Sequence, residues 1–197
     1  MAEKTTREHL VEVGVKLMHE HGYTATGLKE ILASAEVPKG SFYHYFGSKE
    51  EFAAAVLESY VAREGEHCAE VLSDAKVAPL KRLRQYFNEL IKIYGQKGTI
   101  PGCMMGRFSL DVAGESVMLR KLLSSSFGQW QQGIASVLVQ AKERKELPAG
   151  ADPRSLADFF LNSWEGALLR SQAEKSDDPL KDFMHYSFDV LLKSGAR

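Results

Sequence analysis

Pro38-Lys39-Gly40-Ser41-Phe42-Tyr43-His44-Tyr45-Phe46-Gly47-Ser48-Lys49 reads as one short helix with a start, a buried side and a stop. Proline suits the first helical position, where its missing N–H had no partner to lose. Phe42 and Phe46 lie four apart and form one apolar stripe, leaving Ser41, Tyr43, His44 and Tyr45 largely outside it. Gly47 ends the helix. Ser48-Lys49-Glu50-Glu51 then opens a longer one with a capping box, running through Phe52, Val56 and Tyr60 to about Leu72.

Working upstream, Thr5-Thr6-Arg7-Glu8 is another capping box, Leu10, Val13 and Leu17 share one helical face, and Gly22 is a left-handed stop. Thr26 reads as the cap of a short second helix carrying Leu28, Ile31 and Leu32. Residues 1–50 are thus three short helices with a small core of their own. Downstream, Pro79 begins a helix to about Tyr94 with Leu83, Tyr86, Phe87 and Leu90 on its apolar side. A loop from Gly95 to Gly102 precedes a helix with Met104, Met105 and Phe108, and an amphipathic run follows from about Glu115 to Glu146. Asp152-Pro153 and Asp178-Pro179 are matching cap-plus-proline starts for two last helices. The expected fold is all-α, about nine helices, with a helix-turn-helix head over 1–50 and a helical domain over 51–197.

The chain's 197 residues are 44 % hydrophobic and 26 % charged, which excludes disordered, collagen-like and disulfide-scaffold classes. No apolar run approaches a membrane span, and the start, Met1-Ala2-Glu3-Lys4, is polar, so the cytoplasm is the expected compartment and no membrane partner is expected. Cys68 and Cys103 suit a reducing environment. With 25 basic against 26 acidic residues, net charge alone does not announce a nucleic-acid binder.

Two short helices joined by a tight turn, with polar and aromatic groups projecting from the second, form the helix-turn-helix pattern, although three short helices also make a plain bundle. The string from Pro38 to Lys49, together with Gly22-Tyr23-Thr24-Ala25-Thr26, resembles the DNA-binding domain of TetR-family transcriptional regulators. The similarity is dense over about residues 5 to 60. It implies a homodimeric repressor on double-stranded operator DNA, dimerised through its last two helices and released by a small-molecule effector. The residue chemistry fits. Gly40 lets the helix start approach a sugar-phosphate strand, and Ser41, Tyr43 and His44 offer groups suited to phosphates and base edges. Lys39 is a long cation on the groove-facing helix, and Lys49 stands at a helix start that favours phosphate. Thr26 completes the DNA-facing set.

The pattern departs from the family at Glu36, where a glycine is usual; a left-handed conformation there would carry about 1 kcal/mol of strain. The first fifty residues also hold six Lys/Arg against seven Asp/Glu, so binding must come from charge placement and from two half-sites. For the effector, Tyr86, Tyr94, Met104, Phe108, Phe127, Trp130 and Trp164 are candidate cavity-lining side chains, equally suited to a filled core. Cys103 stands at a helix start, where free amides favour a thiolate. Gly98-Thr99-Ile100-Pro101-Gly102-Cys103 resembles the corresponding segment of the N-ethylmaleimide-responsive repressors, implying electrophile or oxidant sensing; a packed thiol is the alternative. No metal or other cofactor is expected, because His19-His21 and His67-Cys68 lack ligand spacing. No catalytic motif is present, and an all-helical enzyme or protein-interaction module remains the contrasting reading.

Overall fold

The structure, a computed structural model, describes residues 5–95 and 102–193. These form nine α-helices and no strand: α1 (Thr6–His21), α2 (Leu28–Ser34), α3 (Lys39–Tyr45), α4 (Lys49–Leu72), α5 (Pro79–Gly95), α6 (Met104–Val112), α7 (Val117–Glu143), α8 (Pro153–Glu174) and α9 (Asp178–Met184). The last continues as a π-helical segment, His185–Leu191. The all-α reading holds. Contacts divide the chain into two compact units, Met1–Glu64 with Cys103–Ser126 and Gly65–Gly102 with Phe127–Arg197. The 1–50 head lies wholly within the first, which also takes in the start of α4, all of α6 and the start of α7.

In the first unit the Thr5 hydroxyl accepts from the Glu8 amide and the Glu8 carboxylate accepts from the Thr5 amide, the reciprocal cap read from sequence. α1 buries Leu10, Val11, Val15 and Met18 and packs against α2 and α6. A β-carbon on Gly14 would lie 2.5 Å from the Phe52 ring and 2.6 Å from Val56, so only glycine lets α1 and α4 approach this closely. Gly22 closes α1 at φ +84°, its amide returning to the Met18 carbonyl. Phe42, Phe46 and Phe52 form a ring triad with centroids 5.0 to 5.4 Å apart, and α3 rests on it. Ser48 accepts from the Glu51 amide, and Glu51 reaches back to the Gly47 amide.

Three helix starts differ from the sequence reading. Gly27, not Thr26, is the N-cap of α2, because the Thr26 hydroxyl is turned inward. Pro38 is the N-cap of α3 rather than its first residue. Asp177 precedes α9 in place of Asp178, with its carboxylate on Lys181 at 2.7 Å.

The second unit centres on α5, whose Leu83, Phe87 and Leu90 are buried. The Phe87 ring meets Trp164 at 5.2 Å, Phe160 at 5.7 Å and Phe183 at 4.9 Å, joining α5, α8 and α9. Arg82 is buried, and its two terminal guanidinium nitrogens donate to the Leu72 carbonyl and the Gln140 side chain, which ties α5 to α4 and α7, while its Nε is buried without a hydrogen-bond partner. Asp152 caps α8 by accepting from the Ser155 amide at 2.8 Å, with Pro153 in the first turn. Among the described residues no helix is long and apolar enough to cross a membrane.

Candidate nucleic-acid interface

The exposed side of α3 is polar and aromatic because its inward side is spent on Phe42. Tyr43 is 52 % exposed and stands edge-on against Phe42 at 5.4 Å, which fixes its ring while leaving its hydroxyl to solvent. Lys39 reaches over the Tyr43 ring, its Nζ 5.9 Å from the centroid. His44 is exposed and packs edge-on to Tyr45. A β-carbon on Gly40 would meet nothing within 4 Å, so the backbone of this turn lies open. Ser41 is half-buried beside it. Lys39, Gly40, Tyr43 and His44 thus gather on one short helix. Arg7 adds a guanidinium over the Phe46 ring at 5.2 Å, a cation near the end of α3 that no local sequence pattern announced.

Two other residues read as DNA-facing have different surroundings. Thr26 is fully buried, and its hydroxyl donates to the Gly22 carbonyl at 2.6 Å. Lys49 is half-buried, and its Nζ donates to the Tyr23 carbonyl at 2.7 Å while lying 4.3 Å from the centre of the Tyr23 ring. Burial lowers the basicity of this ammonium, with the charge of Asp111 opposing. Glu36, in the turn between α2 and α3, takes φ +54°, the left-handed conformation that favours glycine.

Cys103 is the N-cap of α6, with its carbonyl accepting from the Arg107 amide at 3.1 Å. Its thiol makes no capping bond and is 7 % exposed. Residues 98–101 of the string before it lie outside the described residues. Cys68 is half-buried on α4; burial pushes its thiol up, while a hydrogen bond with Tyr86 acts in the opposite sense.

The candidate effector residues divide between the units. Met104 and Phe108 are buried in the first, where Phe108 meets Tyr23 at 6.1 Å. Tyr86, Tyr94, Phe127, Trp130 and Trp164 belong to the second, where Tyr94 and Trp164 come within 6.3 Å. The indole nitrogens of Trp130 and Trp164 and the hydroxyl of Ser171 are buried with no hydrogen-bond partner. Among the described residues no group of three or more His, Cys, Asp or Glu is placed to hold a metal.

Comparison with known proteins agrees with this organisation. The sequence model of "Bacterial regulatory proteins, tetR family" matches residues 10–56, and that of "Tetracyclin repressor-like, C-terminal domain" matches residues 79–187. The transcriptional repressor DhaR of Mycobacterium sp. (strain GP1) is 37 % identical over 98 % of this chain and 96 % of its own. The repressor NemR of Escherichia coli K12 is 33 % identical over 96 % of this chain and 95 % of its own. The crystal structure of reduced E. coli NemR superposes with a TM-score of 0.88 at 32 % identity, covering 94 % of this chain and 96 % of that one. These relatives are transcriptional regulators rather than enzymes, which removes the enzyme reading. The chain belongs to the TetR family of bacterial DNA-binding transcriptional regulators.

Proposed function

We propose that this regulator is a homodimeric repressor that holds a palindromic operator with two copies of α3 and lets go when an effector or a modification of Cys103 shifts its conformation. The observation that carries the reading is the exposed face of α3, where Lys39, Gly40, Tyr43 and His44 stand on a rigid phenylalanine triad. Such a helix offers donors to phosphates and base edges without moving its scaffold. Two copies spaced by about 34 Å would enter successive major grooves of chromosomal DNA in the cytoplasm. Thr26, with its hydroxyl turned inward, serves the turn rather than the duplex.

Dimerisation is supported by α8 and the last helix. Phe159 and Leu169 on α8, and Tyr186 and Val190 on the π segment, are exposed large apolar side chains. A β-carbon on Gly166 would meet nothing within 4 Å, leaving room for a helix to approach closely. Interior effector binding is supported by the buried, unpartnered indole nitrogens of Trp130 and Trp164, which a ligand acceptor would satisfy. Release requires differential affinity between conformers; about 3 kcal/mol would weaken DNA binding by about a hundredfold.

The test is a mobility shift with a duplex selected by the protein from a randomised pool. The unmodified chain is expected to form a saturable complex at moderate salt. Tyr43→Ala and Lys39→Ala should each weaken it by about tenfold or more, and equal affinity in both variants would remove α3 from the interface. N-ethylmaleimide is expected to dissociate the unmodified complex and leave Cys103→Ser bound. Equal release of both would take the sensing role from Cys103.

A further inference from the structure

The charged end of Lys49 is held by a backbone carbonyl as well as by an aromatic ring. We propose that Lys49 sets operator affinity as a positioning residue, clasping the Gly22-Tyr23-Thr24 turn against α6, rather than by neutralising a phosphate.

The turn is gripped from two sides within the first unit. From α4, the Lys49 ammonium donates to the Tyr23 carbonyl at 2.7 Å and covers the Tyr23 ring at 4.3 Å. From α6, the Asp111 carboxylate accepts from the Thr24 amide at 3.2 Å. It also lies 2.7 Å from where a β-carbon on Gly22 would sit, with the Arg107 Nε 2.9 Å from the same point. The Phe108 ring meets Tyr23 from the same helix. Next to Lys49, Glu50 accepts from the Ser116 hydroxyl, fastening the start of α4 to the segment that follows α6.

This turn leads directly into α2 and α3, so its position sets where the DNA-facing helix points. An ammonium held by a carbonyl on one side and an aromatic face on another is already partly desolvated and directed. A phosphate would compete for it with contacts that hold the head together. Asp111, whose charge favours the protonated amine, acts from the α6 side of the same clasp.

The inference rests on the reading of the chain as a DNA-binding regulator; absence of any complex with the unmodified chain would defeat that reading, whereas the variants below test only the clasp. The experiment measures affinity against salt for the unmodified protein, Lys49→Met, Asp111→Ala and the double variant, on the selected duplex. A phosphate contact contributes about 0.9 to the slope of log affinity against log salt. Its loss from both heads of a dimer would flatten the slope by about 2. The clasp expects an unchanged slope, an affinity loss of about tenfold in each single variant and a double variant weaker by much less than the product. Stoichiometric titration should show full binding capacity, separating a misaimed head from an unfolded one. A flattened slope for Lys49→Met, or unchanged affinity for Asp111→Ala, overturns the proposal. If Lys49→Met does not fold, Asp111→Ala decides alone by the same criterion.

Discussion

Glu36 carries the clearest local strain in the head. Its φ of +54° brings the β-carbon against the backbone, a penalty of about 1–2 kcal/mol that glycine avoids. Glycine in turn enlarges the unfolded ensemble by about 0.4–1 kcal/mol. Glu36→Gly is therefore expected to stabilise by about 0.5–1 kcal/mol, a rise of roughly 2 °C in Tm by thermal melting. Operator affinity should also rise, since each head loses a negative charge; a lower Tm would mean that the Glu36 side chain does unrecognised structural work. This strain was legible only through the family resemblance, which puts glycine where this chain has Glu36. The Phe42 and Phe46 stripe was legible from the residues themselves, because partners four apart on a helix are fixed by local geometry. The surroundings of Lys49 and Thr26 were not. Asp111 meets a turn 87 residues earlier in the chain, and no periodicity connects them. A threonine hydroxyl before a helix looks like a cap until the Gly22 carbonyl claims it.

At the level of elements, the last helix departs from the regular pattern of its sequence. Phe183, Met184, Phe188, Leu191 and Leu192 read as ordinary α-periodicity, yet residues 185–191 are π-helical, with the Leu192 amide returning to Ser187. Asp189 in this segment receives both Arg84 guanidinium nitrogens, at 2.7 and 3.0 Å, and Lys193 at 3.3 Å, which pins the segment to α5. The hydrogen bonds from Arg84 hold the Asp189 carboxyl well below the usual carboxylate range. A depressed folded-state pKa stabilises the fold at pH above the unfolded value of about 3.9 and loses that contribution as the solution is acidified through and below it. Asp189→Asn is expected to be less stable than the unmodified chain near neutrality. The difference in urea midpoint should shrink below about pH 4. A difference independent of pH would show that packing rather than charge holds the π segment.

The whole molecule presents an apolar surface that a single copy leaves in water. Leu169 is 60 % exposed on α8 and Tyr186 61 % on the π segment, and Phe159 borders a groove of about 460 Å³ lined by Pro148, Ala151, Leu156 and Leu191. On α8, Phe159, Gly166 and Leu169 recur at steps of seven and three, the spacing of a helix seam rather than of scattered surface residues. Soluble monomers seldom leave such a stripe uncovered, and in the proposed dimer a second copy related by a two-fold axis would cover it with its own equivalent. The same proposed pairing would supply the second α3 that a palindromic operator requires, so the stripe and the DNA face stand or fall together. Leu169→Glu tests both. Each paired interface would then bury two carboxylates near one another, a penalty of several kcal/mol against association. The variant is expected to keep its helical circular dichroism, since Leu169 lies on the exposed side of α8. In sedimentation it should behave as a 21.9 kDa monomer, whereas the unmodified chain is expected to run at twice that mass. Operator binding should fall by about a hundredfold or more, because one head reads only one half-site. Full affinity in a proven monomer would detach the last helices from DNA recognition and leave α3 acting alone.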